Sequence, residues 1–177
     1  MKRSKSVKLI AMGTGLMLVT ACEEAKVDTA MFESVKQCTS LGFSQQECKD
    51  NYRNAQRTHV DAAPKYTSKS DCEADFGAEK CEVAPQRTTS GGSVFMPLMA
   101  GYMMGSLMGG GRSQPLYKSR DDRKTFRTAD NQKVGTATGR TKVAKSATRS
   151  PSIKTRTVSR GGFGSSARST GRRYFGG

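Results

Sequence analysis

The chain has no tryptophan, a single histidine and 5 prolines, and aromatic residues fill only 7% of its 177 positions. Acid is scarce as well: 15 Asp and Glu stand against 30 Lys and Arg, a formal net charge of +15. Mean hydropathy is -0.62. A chain this poor in large apolar groups has little to bury against the entropy of ordering its backbone, which argues against one large core. The lone histidine, His59, leaves out histidine-rich metal centres, and the lack of a close cysteine pair leaves out a zinc ribbon. No nucleophile–base pair and no facing carboxylates stand out, so the residues predict no catalytic site, no cofactor and no metal.

Long hydrophobic runs are missing too. Leu9 to Val19 is an 11-residue apolar stretch, short for a bilayer span but suited to a signal-peptide core. Lys2, Arg3, Lys5 and Lys8 lie around its start, and Leu18-Val19-Thr20-Ala21-Cys22 closes it. That order resembles a bacterial lipoprotein signal, which implies cleavage before Cys22 and acylation of its thiol. An ordinary secretory peptide is the competing reading. Glu23 stands where inner-membrane lipoproteins carry Asp, so the resemblance implies an outer-membrane anchor facing the periplasm.

Charge divides the remainder. Residues 22–92 hold 9 Lys/Arg against 12 Asp/Glu, residues 93–111 are uncharged, and residues 112–177 hold 17 Lys/Arg against 3 Asp. The expected organisation is a signal peptide over 1–21, a cysteine-repeat head over 22–87, a Gly/Met-rich apolar segment over 88–111 and a basic low-complexity tail over 112–177.

In the head, Cys38, Cys48, Cys72 and Cys81 form an even set, the pattern of a disulfide framework in an exported segment. Phe32-Glu33-Ser34 runs to Cys38, Gly42 and Cys48; Tyr66-Thr67-Ser68 runs to Cys72, Gly77 and Cys81. Each unit reads as a short helix closed by a glycine turn and stapled by its second cysteine. If the units are true repeats, the pairs are Cys38–Cys48 and Cys72–Cys81; the crossed pairing Cys38–Cys81 with Cys48–Cys72 stays open. Ser44-Gln45-Gln46-Glu47 is a capping box opening a helix that runs to about Ala62, before Pro64. His59 falls on its semi-apolar face with Tyr52, Ala55 and Ala62, a structural position rather than a catalytic one.

In the centre, Gly101, Gly105 and Gly109 recur every fourth residue among five methionines, which predicts a short apolar helix with a smooth stripe, associating with membrane or with its own copies. A helix packed on the head and an unstructured linker are the competing readings. The stretch Phe95-Met96-Pro97-Leu98-Met99-Ala100-Gly101-Tyr102-Met103-Met104-Gly105, with Ala63-Pro64-Lys65-Tyr66, Asp71-Cys72, Phe76-Gly77 and Thr157-Val158-Ser159-Arg160-Gly161-Gly162-Phe163-Gly164, resembles the YgiB-type family of uncharacterised enterobacterial proteins. The resemblance implies an envelope lipoprotein and carries no catalytic residue with it.

Beyond Arg112 the apolar residues stand alone, as at Leu116, Val134, Val143, Ile153 and Val158, so the tail is expected to be disordered. Its Arg–aromatic groups point to Arg160, Arg172 and Arg173 as contacts for an anionic partner. Such groups suit nucleic acid in the cytoplasm; behind a lipoprotein signal they favour anionic lipid, lipopolysaccharide or a cell-wall polymer. The sequence thus predicts a small all-α disulfide-bonded head, a short apolar Gly/Met-rich helix and a long disordered basic tail. The function it suggests is non-catalytic: a lipid-anchored tether or scaffold of the cell envelope. Two other functions are weighed against it. One is an accessory subunit of an envelope enzyme or transporter docking through residues 94–109, with self-association on the same surface. The other is a nucleic-acid binder, if the signal is retained.

Overall fold

The computed structural model describes residues 24–105, 112–158, 162–165 and 167. The signal segment 1–21, Cys22, Gly109, Arg160, Arg172 and Arg173 lie outside them. The elements run β1 (Lys26–Phe32), α1 (Val35–Ser40), α2 (Gln45–Ala62), β2 (Lys65–Tyr66), α3 (Lys69–Phe76), β3 (Cys81–Arg87), β4 (Ser93–Pro97), β5 (Gly101–Met103), β6 (Gln114–Ser119), β7 (Asp122–Arg127), β8 (Lys133–Gly135) and β9 (Gly139–Ala144). A 3-10 turn (Lys145–Thr148) and β10 (Thr157–Val158) complete them.

Strands dominate, against the expected all-α head. Six of them form an antiparallel sheet in the order β8-β7-β6-β5-β1-β9. Its edge strands β8 and β9 are joined only by residues 136–138, so the sheet must curl until its edges approach, close to a barrel. Alternation along the strands puts Met31, Met103, Leu116, Phe126 and Val143 in its interior. Ala30, Phe32, Tyr102 and Met104 face outward, where α1 and α2 cover them with Cys38, Cys48 and Ala55. A smaller sheet, β10-β2-β4-β3, packs with α3 around Tyr66, Phe76, Val94, Met96 and Tyr117.

The described part of the apolar centre, through Gly105, contains no helix. It supplies β4 and β5, and its described methionines are shared among three cores: Met96 in one, Met99 and Met104 in another, Met103 in the barrel. Glycine in a helix interior costs about 1 kcal/mol, so the stripe disfavours the helix it was read as lining. Gly101 instead permits a close crossing, since a Cβ there would meet the Phe32 carbonyl oxygen at 2.6 Å. Gly105 follows β5 in irregular chain.

Nor is the tail disordered as a whole. Residues 112–144 supply β6 to β9, four of the six strands of the barrel wall, while Arg140 and Lys142 point to solvent between the inward Gly139 and Val143. A narrow barrel needs few interior side chains, so isolated apolar residues suffice. Further on, Phe163 is only 2% exposed and stacks 4.7 Å from Phe76. Its neighbours are pinned: Gly162 N–H donates to Asp75 at 3.1 Å, Gly164 and Asn131 exchange two hydrogen bonds, and Ser165 N–H donates to Asp121.

The helices follow their caps. Ser44 Oγ accepts from Glu47 N–H and Ser68 Oγ from Asp71 N–H, each at 3.1 Å. The disulfides are Cys38–Cys48, joining α1 to α2, and Cys72–Cys81, joining α3 to β3.

Candidate anion-binding trench

The face of α2 opposite the core carries Asn54, Arg57, Thr58 and Asp61 at helical spacing. The extended chain over residues 150–157 runs beside it and is tied to its end. Lys154 N–H donates to the Asp61 carbonyl at 2.9 Å, and the Lys65 ammonium donates to the same oxygen at 2.9 Å. Together these donors satisfy a carbonyl that the helix terminus leaves without an intrahelical partner.

Two hollows flank this tie and meet at Asp61 and Ile153. One, of about 510 Å³, is lined by Arg57 and Arg112; the other, of about 620 Å³, by Lys65, Arg87, Lys154 and Arg156. Among the described residues Asp61 is the only carboxylate lining either. The hydroxyls of Thr58 and Ser113 on the same surfaces already donate to the Asn54 carbonyl and to Asn51, and Thr88 is held in its own turn against Gly92, so the cations are the groups that can meet an oxyanion.

The trench is rigid at its centre. Lys65 is only 5% exposed, and burial together with nearby Lys154 lowers its pKa against the pull of Asp61. Lys154 in turn contacts Asp130 at 2.6 Å. Burial disfavours the Asp130 carboxylate, yet hydrogen bonds from Lys154 and Ser152 overcome this and hold its pKa below the usual range. Among the described residues, Arg57, Arg112 and Arg156 have no carboxylate partner and stay free to meet an anion.

His59 lies on the opposite, buried face of α2. Its Nδ1 is 2.8 Å from the Tyr117 hydroxyl and its Nε2 is 3.2 Å from Glu82. Burial lowers its pKa more than the Glu82 contact raises it, and burial also pushes the Tyr117 phenol well above its ordinary value. A neutral imidazole accepting from Tyr117 and donating to Glu82 satisfies all three groups, a structural use of the histidine.

Neither Gly101 nor Gly105 lines the trench, and the arginines singled out in the sequence, Arg160, Arg172 and Arg173, fall outside the described residues. The trench cations come from five separate places in the chain and form no local motif. The readable signal was the polar face of α2 and Lys65 directly after Pro64. Among the described residues no group of three or more His, Cys, Asp or Glu could hold a metal ion. No described helix is long and apolar enough to cross a membrane.

Fold and site together define a disulfide-stapled, mainly antiparallel β protein with a cationic surface trench. The chain belongs to the family described as "Protein of unknown function (DUF1190)", which matches residues 26–172. It is 38% identical to a UPF0441 protein of Erwinia tasmaniensis over 172 residues, covering 86% of this chain and 77% of the relative. A UPF0441 protein of Yersinia pseudotuberculosis is 37% identical and one of Klebsiella pneumoniae 36%, with the same coverage of both chains. No solved structure matches the chain.

Proposed function

We propose that this protein is a non-catalytic lipoprotein of the cell envelope, anchored through an acylated Cys22, that holds an anionic envelope polymer or lipid head group in the trench. The observation that carries the reading is the imbalance there: six cationic side chains share a lining with one carboxylate. A field of one sign in a concave site concentrates anions, and the anchor keeps the site near a leaflet, so weak contacts add up. The accessory-subunit reading loses ground because Val94, Met96, Tyr102, Met103 and Met104 are all buried in this chain's own cores.

Lipopolysaccharide or phosphatidylglycerol vesicles supply the test. Each basic residue near an anionic surface contributes about 1 kcal/mol at most, so reversing Arg57 and Arg156 to Glu should weaken binding by about a hundredfold and flatten its salt dependence. A chain ending after Ala167 removes Arg168, Arg172 and Arg173 but keeps the trench, and should bind nearly as well. Equal binding by wild type and the double reversal refutes the trench. Cys22→Ser should release the chain from membranes.

A further inference from the structure

A separate cavity, of about 460 Å³, has a lining distinct from that of the trench and a different character. Its floor is apolar, made by Phe76, Leu98, Met99 and Ala100, and its rim carries Lys80, Lys118 and Arg123. Among the described residues Glu33 is the one carboxylate there, and it is already held by Lys118 at 2.8 Å. Among the described residues, Lys80 and Arg123 have no carboxylate partner. They meet over Gly77, where a Cβ would lie 3.8 Å from the Arg123 guanidinium and 3.8 Å from the Lys80 stem. Gly77 has φ +106°, so a side chain there would be strained, and the floor beneath the two cations stays open.

The strap carrying Leu98 and Met99 is tied at both ends. Leu98 N–H donates to the Lys80 carbonyl and Ala100 N–H to the Leu116 carbonyl, each at 2.8 Å. Leu98 is nevertheless 41% exposed, whereas Phe76 beneath is 5% exposed. Apolar surface is therefore held open in a preformed recess, and Met99 adds a side chain that adapts to the shape of a guest.

We infer that this recess binds a single-chain anionic amphiphile, a free fatty-acid anion, with its alkyl chain on Phe76, Leu98 and Met99 and its carboxylate between Lys80 and Arg123. Charge complementarity selects the anion: two uncommitted cations beside an apolar floor leave a neutral guest without a partner for either. Concavity selects a monomer over a bilayer, because insertion into a lipid surface needs apolar side chains that protrude together, and Phe76 is recessed. The size lies within the range of small-molecule sites. The site shares no lining residue with the trench and stands apart from the function proposed for it.

Titration calorimetry of the full-length oxidised protein with octanoate, decanoate and 1-decanol tests the inference. Saturable binding is expected with one acid per chain, tightening about fourfold for each added methylene until the recess is full. Decanol should bind at least tenfold more weakly than decanoate. Lys80→Glu with Arg123→Glu should lower decanoate affinity at least tenfold, and Leu98→Asp should abolish binding; both alter exposed side chains, and thermal melts confirm their folding. The inference is overturned if decanoate does not saturate, if decanol binds as tightly, if Leu98→Asp binds normally, or if the protein ignores monomeric decanoate and binds only vesicles containing it.

Discussion

Replacing Phe163 by Ala tests whether the end of the basic segment is part of the folded body. Phe163 fills a hole between Phe76 and Tyr117, with ring centroids 4.7 and 6.0 Å away. Truncating a fully buried Phe costs about 3–5 kcal/mol where the surroundings stay in place. The cost here has a ceiling, because without its anchor the 162–165 segment can peel away and regain backbone freedom of about 1 kcal/mol or more per residue. We expect a net loss of about 2–3 kcal/mol, less than full truncation and far more than a surface substitution. Urea unfolding of the disulfide-intact protein measures it. Hydrogen exchange at Gly162, Gly164 and Ser165 should accelerate in the same variant, because their amides donate to Asp75, Asn131 and Asp121 only while the segment is docked. A loss below about 0.5 kcal/mol with unchanged exchange would mean that Phe163 anchors nothing, and the segment would revert to a solvated tail.

His59 should make stability pH-dependent. Its pKa is lowered in the fold mainly by burial, so below pH about 6.5 the unfolded chain takes up a proton that the folded chain refuses. Stability is then full above that pH and falls as pH drops through the window beneath it; His59→Gln should flatten the slope between pH 8 and 5, and an unchanged slope would refute the assignment. Each disulfide closes a short loop, with sequence separations of 10 and 9, and should contribute about 3 kcal/mol. Pairwise Cys→Ser variants measured by urea unfolding check this, and peptide mapping without reduction should recover Cys38 joined to Cys48.

The parts legible in the sequence were local. Ser44 with Glu47 marked α2, and the repeat around Gly42 and Gly77 marked the two short-range cysteine pairs among three possible connectivities. The strands were hidden by misleading spacings. Gly101 and Gly105 are four apart, which reads as one face of a helix, although Gly101 opens the three-residue strand β5 and Gly105 lies beyond its end. Leu116 and Val143 looked isolated because only alternate residues of a strand face the barrel interior, and a narrow barrel needs few of them. Phe163 sits in a Gly-Gly-Phe-Gly run that resembles a nucleic-acid-binding tail, and only the tertiary packing of Phe76 and Tyr117 turns it into a plug. The trench was not legible because residues 57, 65, 87, 112, 154 and 156 are neighbours only after folding.

β1 has a consequence for the order in which this protein can fold. It is an inner strand of the larger sheet, with Met31 opposite Met103 on one side and Val27 opposite Val143 on the other. The first strand is therefore completed by nearly the last, a topology of high contact order in which loop-closure entropy is met before any sheet contact compensates for it. The two cysteine hairpins can close early, because their contacts are local. The barrel cannot, and until residue 144 is available β1 offers two open edges, with Lys26 and Asp28 as its charged guards against mispairing. Under the envelope function proposed above, this delay is useful: a body that cannot close before its distal half is available stays threadable through a membrane pore.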